Sequence, residues 1–247
     1  MSWIRRFRPA APGAVRLVCF PHAGGSASFF HPLSTALAPG VEVLGVQYPG
    51  RQDRRHEPGL TSVDDLADRA AEELIGYTDR PLALFGHSLG AVLAYEVALR
   101  LEKSTGQPLD RLFASGRRAP SRYREDRVHL RDDAGILAEV RLLSGTDASL
   151  MGDPELVRMI LPAIRSDYTA IETYRHTPGR LLSCPVTALT GDADPRTTLD
   201  EARAWSEHTT GEFELSVFPG GHFFVSANAA DVTRVVADRL SPHAVTG

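Results

Sequence analysis

The stretch from Pro81 to Leu101 constrains this chain more than any other. An apolar run ending at Phe85 meets Gly86-His87-Ser88-Leu89-Gly90, and the helical pattern of Ala91 to Leu101 begins at once. A strand that becomes a helix over so few residues leaves no space for side chains at the corners, which accounts for the two glycines. Strain in that backbone pushes the Ser88 hydroxyl out over the end of the strand, and the helix start beneath it favours developing negative charge. Such a unit is stable only inside a sheet covered by helices.

The rest of the chain supplies that sheet. Short apolar or β-branched runs recur at Val15 to Phe20, Val41 to Gln47, Leu82 to Phe85, Arg111 to Ala114, Val186 to Leu189 and Phe213 to Phe218, each closed by glycine, proline or a polar turn. Helical patterns lie between them. Val63, Leu66, Ala67, Ala70, Ala71, Leu74 and Ile75 follow helical spacing behind a Ser62 to Asp65 capping box, and Asn228 to Leu240 carries Val232, Val235, Val236 and Leu240 on one stripe. Alternation of this kind predicts an α/β fold with a mostly parallel, doubly wound sheet.

One region departs from the alternation. Positions 121–183 show no strand pattern but two helical stretches, Ala134 to Leu143 and Pro154 to Tyr174. That length is too great for a structureless loop. The expectation is one catalytic domain over 1–247, with 121–183 inserted as a helical lid above the carboxyl ends of the strands, where ligands of open sheets bind.

A serine hydroxyl is a weak nucleophile and needs a histidine base held by a carboxylate. In this strand order both partners sit on loops after later strands, acid before base. Phe213 to Phe218 runs into Pro219-Gly220-Gly221-His222, so His222 is the expected base among nine histidines. Val186 to Leu189 runs into Thr190-Gly191-Asp192-Ala193-Asp194-Pro195, which offers Asp192 and Asp194 as the acid. His87, beside the serine on the tight turn, is expected to point away from the hydroxyl and to take a structural or pocket-wall role. The Leu89 amide, and the Ala23 amide in the glycine-rich loop Pro21 to Ser26, are the expected oxyanion donors. Neither loop has a phosphate-binding glycine pattern.

Composition excludes several other classes. Apolar residues are 43% of the 247 and charged residues 23%, enough for a core and a wet surface, while a formal net charge of -4 argues against a surface built for nucleic acid. No apolar run reaches membrane-span length, and no export signal follows the first arginines. Two cysteines, Cys19 and Cys184, make neither a disulfide framework nor a metal site, so both are expected in the core of a protein in a reducing cytoplasm. Arg117, Arg118, Arg122, Arg124, Arg127 and Arg131 form a basic stretch that an acidic partner could use, but Glu125 and Asp126 interrupt it and favour an ordinary solvated face.

With these residues placed, nearly the whole chain resembles the type II thioesterases, editing hydrolases of the α/β-hydrolase fold that accompany polyketide and nonribosomal peptide synthases. The likeness rests on Phe20-Pro21-His22-Ala23-Gly24-Gly25, Tyr48-Pro49-Gly50-Arg51, the Gly86 to Gly90 turn, Ser115-Gly116-Arg117-Arg118-Ala119-Pro120, Leu161-Pro162, Asp167-Tyr168, Glu172-Thr173-Tyr174 and Phe218 to Phe224. The resemblance places the acid third after the glycine, which selects Asp194. It implies hydrolysis of acyl groups from the phosphopantetheine thiol of an acyl or peptidyl carrier protein, with no cofactor, and without nucleic acid or membrane as partner. A carboxylesterase of small oxygen esters and an acyltransferase to a carrier protein are the competing activities.

Overall fold

The computed structural model describes residues 2–144 and 154–240. Its strands are β1 (Ile4–Arg6), β2 (Val15–Phe20), β3 (Val41–Val46), β4 (Leu82–His87), β5 (Arg111–Ser115), β6 (Val186–Gly191) and β7 (Phe213–Phe218). Its helices are α1 (His31–Leu37), α2 (Val63–Leu74), α3 (Leu89–Thr105), α4 (Asp133–Ser144), α5 (Pro154–Thr173), α6 (Leu199–Arg203), α7 (Phe224–Ala227) and α8 (Ala229–Leu240). The strands form one sheet in the order β1-β3-β2-β4-β5-β6-β7. All neighbours are parallel except β1, which pairs antiparallel with β3. No helix among the described residues is long and apolar enough to cross a membrane.

Burial on both faces explains the continuous apolar strands. Side chains alternate across the sheet with period two. Val18, Phe20, Leu84, Leu112 and Ala114 face a core shared with α2 and α3, while Leu17, Cys19, Ala83, Phe85 and Phe113 face a second core shared with α1 and α8. In α2, Val63, Leu66, Ala67, Ala70 and Leu74 are buried on one stripe, and the Ser62 hydroxyl accepts the Asp65 amide. That is half of the expected capping box. Ile75, expected on the same stripe, is exposed because it begins a 3₁₀ turn after the helix has ended. Val232, Val236 and Leu240 of α8 are buried as their spacing predicts.

Between β5 and β6 the chain leaves the sheet. A 3₁₀ turn (Val128–Leu130), α4 and α5 gather a small core of their own from Val128, Ile136, Leu161 and Ile164. The expected insertion therefore contains the two predicted helices; its stretch 145–153 lies outside the described residues. The C-terminal half of α5 reaches the main core through Ala170 and Ile171, and the Tyr174 hydroxyl just beyond it donates to Glu96 of α3 at 2.8 Å. Both cysteines are free and buried.

The arginine-rich stretch is largely paired within the chain. Arg118 pairs with Asp126, Arg122 with Glu207, Arg124 with Glu201, Arg127 with Glu125 and Arg131 with Glu139. Arg118 is buried.

Candidate active site

Strand β4 ends at His87 and α3 begins at Leu89, so Ser88 is the whole joint between them. Its φ of 57° and ψ of -117° lie where side-chain-bearing residues are rare. The flanking glycines show why the turn tolerates nothing larger. A Cβ on Gly86 would stand 2.0 Å from the Gly90 carbonyl oxygen, and one on Gly90 would stand 2.0 Å from that of Phe20. The Ser88 amide donates to the Ser115 carbonyl at 2.8 Å, which fixes the turn against β5.

The loops after β6 and β7 meet at this end of the sheet. Gly220, with φ of 115°, lets the post-β7 loop turn back, and the Ala193 amide donates to the Gly220 carbonyl at 3.0 Å. The result is that the His222 Nδ1 sits 2.9 Å and 3.1 Å from the two carboxylate oxygens of Asp194. Both residues are buried. The Asp194 Oδ1 also accepts the Arg196 amide at 2.8 Å. Asp192 is exposed and instead accepts the Gly220 amide at 2.8 Å, so it braces the loop rather than the ring.

With Nδ1 engaged, Nε2 is the ring nitrogen left for other partners. Ser88, His222, Ala23 and Leu89 line one narrow cleft of about 30 Å³. That space holds no more than a water or two. The Ser88 hydroxyl has no hydrogen-bond partner among the described residues. Neither the Ala23 nor the Leu89 amide has an acceptor there. The insertion closes the cleft from above with Leu143, Tyr168, Ile171 and Glu172.

His87 stands behind the site, as its place on the turn predicts. It is buried, its Nδ1 is 3.0 Å from the Ser115 hydroxyl, and its ring centroid is 5.2 Å from that of His222. His22 has no role in the sequence reading beyond its motif, yet it packs beside His87 behind the site, with ring centroids 6.1 Å apart. Its ring meets Phe29 edge-on at 4.7 Å and Phe223 at 4.8 Å. Burial, reinforced by the neighbouring His222 and Arg51, lowers His22 to about 3, and burial likewise holds His87 well below the ordinary imidazole value. Two neutral imidazoles thus back His222.

Sequence reasoning also missed the tie between the insertion and the loop after β2. Asp167 of α5 accepts the Gly24 amide at 2.7 Å and forms a buried ion pair with Arg51. The partners are more than a hundred positions apart, so no local pattern announces them. Arg117 is a further surprise. It lines the cleft, and burial, with Arg118 adding repulsion, lowers its guanidinium to about 9.

A mostly parallel sheet with a positive-φ serine between strand and helix, and an aspartate-held histidine after the last strand, defines a member of the α/β-hydrolase class. Comparison with known proteins narrows the class. Residues 15–240 match the thioesterase domain model. The chain is 55% identical over 240 residues to a probable cadicidin biosynthesis thioesterase of Streptomyces griseus, covering 97% of this chain and 66% of that protein. It is 52% identical to the thioesterase PikA5 of Streptomyces venezuelae, covering 96% and 85%. The solved structure of the type II thioesterase BorB from the borrelidin biosynthetic cluster superposes with a TM-score of 0.91 at 53% identity, covering 96% of this chain and 97% of that one. This chain belongs to the thioesterase family, among its type II members.

Proposed function

We propose that this chain hydrolyses acyl groups from the phosphopantetheine thiol of an acyl or peptidyl carrier protein, clearing stalled or mis-loaded units from a polyketide or nonribosomal peptide synthase in the cytoplasm. The observation that carries the chemistry is the buried Asp194 carboxylate on His222 Nδ1, in a ring that shares its cleft with the Ser88 hydroxyl. The names of its relatives, biosynthetic thioesterases, carry the substrate class.

In this reading Asp194 holds the His222 proton on Nδ1, so Nε2 accepts the Ser88 proton as the hydroxyl attacks the thioester carbonyl. The Ala23 and Leu89 amides receive the oxyanion, each contributing about 3 kcal/mol in the transition state. Nε2 then returns its proton to the departing pantetheine sulfur, leaving an acyl-Ser88. Water enters, loses a proton to Nε2, attacks the acyl carbon and expels Ser88, whose oxygen recovers the proton. These steps need no cofactor.

The cleft as it stands is far smaller than an acyl-pantetheine arm, so the insertion at 121–183 acts as a lid within a single catalytic domain. Its closure removes water while the acyl-enzyme forms.

The test offers acyl-phosphopantetheinyl carrier protein to wild type and Ser88→Ala, reading free thiol on the carrier and free acid in solution. Wild type is expected to release both in equal amounts, and the variant to lose roughly four to six orders of magnitude in kcat. Faster transfer to an added thiol than release of acid would make the protein an acyltransferase. A higher kcat/KM on the matched oxygen ester would make it a carboxylesterase.

A further inference from the structure

Besides the loop's own turn bond, from the Gly25 amide to the His22 carbonyl at 2.9 Å, and a contact from Gln52 to Ser26, four hydrogen bonds hold the loop that carries the Ala23 amide and its junction at Ala27, and three of them come from the segment after β3. The Tyr48 hydroxyl donates to the Pro21 carbonyl at 3.1 Å, the Arg51 Nε to the Gly25 carbonyl at 3.0 Å, and the Gln47 side-chain oxygen accepts the Ala27 amide at 2.8 Å. The fourth comes from the insertion. A single oxygen, Asp167 Oδ2, accepts both the Gly24 amide and the Arg51 guanidinium, and the remaining terminal nitrogen of Arg51 donates to the Pro49 carbonyl at 2.6 Å. Asp167 and Arg51 are both buried, so removing either leaves the charge of the other without its partner.

Packing reinforces the contact. Gly24 has φ of 76°, and a Cβ there would stand 2.7 Å from Ile164 Cγ1, one helical turn before Asp167. Helix α5 therefore lies directly on the residue after Ala23, with nothing between. The Ala23 amide is flanked by two pinned groups, the Pro21 carbonyl and the Gly24 amide, and the second is set from outside the sheet.

We propose that Asp167 is a positioning residue that aims the Ala23 amide by holding the Gly24 amide and Arg51 together, so that the oxyanion loop is complete only while α5 is docked on it. The inference rests on the proposed hydrolysis through an acyl-Ser88, in which Ala23 is an oxyanion donor. It gives the insertion a part in the chemistry besides excluding water, because seating α5 and forming the donor geometry become one event. The charge matters as well as the shape. Asn at this position keeps an oxygen for Gly24 but leaves the Arg51 charge buried and uncompensated.

The experiment compares wild type, Asp167→Asn and Asp167→Ala for kcat and KM on one acyl-carrier-protein thioester. It also measures their affinity for a trifluoromethyl ketone isostere of acyl-pantetheine, which becomes a tetrahedral oxyanion on the enzyme. Donor misplacement predicts a graded loss in kcat, about 3- to 10-fold for Asn and about 10- to 100-fold for Ala, because removing a donor outright costs about 10²- to 10³-fold. KM should stay within about twofold, and ketone affinity should fall in step with kcat. A folded Asp167→Ala with a lowered melting temperature but wild-type kcat and ketone affinity would overturn the proposal, as would a raised KM at unchanged kcat. If the Ala variant does not fold, Asp167→Asn decides alone, and an unchanged kcat refutes the inference. Failure of the underlying reading looks different: Ser88→Ala would then hydrolyse as well as wild type.

Discussion

Replacing Asp194 by Asn separates the two aspartates of the post-β6 loop and puts a size on the role given to His222. In the native site one Asp194 oxygen accepts the Arg196 amide at 2.8 Å, and both face His222 Nδ1. An Asn side chain keeps its oxygen on Arg196 and turns its amide toward the ring, so Nδ1 must accept and the proton moves to Nε2. A protonated Nε2 cannot take the Ser88 proton. In serine proteases the corresponding change to Asn traps the same wrong tautomer and costs kcat about 10⁴-fold, or about 5.4 kcal/mol. Asp192→Asn keeps the oxygen that accepts the Gly220 amide, so its cost is that of one weakened exposed hydrogen bond, about 1 kcal/mol. Its kcat should stay within about tenfold of wild type. Thiol release from an acyl-carrier-protein thioester, with thermal melts to establish folding, reads both. Greater damage from Asp192→Asn, or an Asp194→Asn within tenfold of wild type, would refute the assignment.

Gly86→Ala should destabilise by about 3 kcal/mol or more, since its Cβ would stand 2.0 Å from a backbone oxygen that no rotamer moves; an unchanged thermal midpoint would show that the turn has slack. Acidification should also destabilise. His22 and His87 are held neutral in the fold, chiefly by burial, but take up protons near pH 6.5 when unfolded. Their stabilisation is fully present above pH 6.5 and is lost as pH falls toward their folded values, which for His22 is about 3, at up to about 1.4 kcal/mol per pH unit for each. Asp167, whose carboxyl burial pushes upward, works in the opposite sense and offsets part of this. Urea midpoints at pH 7, 6, 5 and 4 should fall steadily, and a flat series would mean that these rings are solvated.

The sheet was legible because five of its six parallel strands, β2 to β6, are buried nearly throughout and their continuous apolar runs leave few alternatives, while β7, half-buried at the edge, still carries an apolar run closed by Pro219 and Gly220. The edge strand β1 was not, since three residues with two arginines carry no such signal; its antiparallel pairing with β3 is set by the neighbour. Helix α1 was missed for a related reason: Pro32 near its start and only seven residues leave no periodicity to read. Boundaries at the turn were misjudged because strand and helix share a single joint residue, so β4 runs on to His87 and α3 starts at Leu89. In the site, Ser88 and His222 stand on loops whose glycines mark them. The choice of Asp194 needed the resemblance, as both aspartates suit the loop. Asp167, Arg51 and Arg117 draw their significance from contacts across the fold, which spacing along the chain does not encode.

Covalent labelling by a fluorophosphonate, read as intact mass and then as the modified peptide, asks whether Ser88 is the nucleophile. One adduct per wild-type chain is expected, located on Ser88, and none on Ser88→Ala. An adduct of equal stoichiometry on the variant, or one mapped to another residue of the wild type, would contradict that assignment.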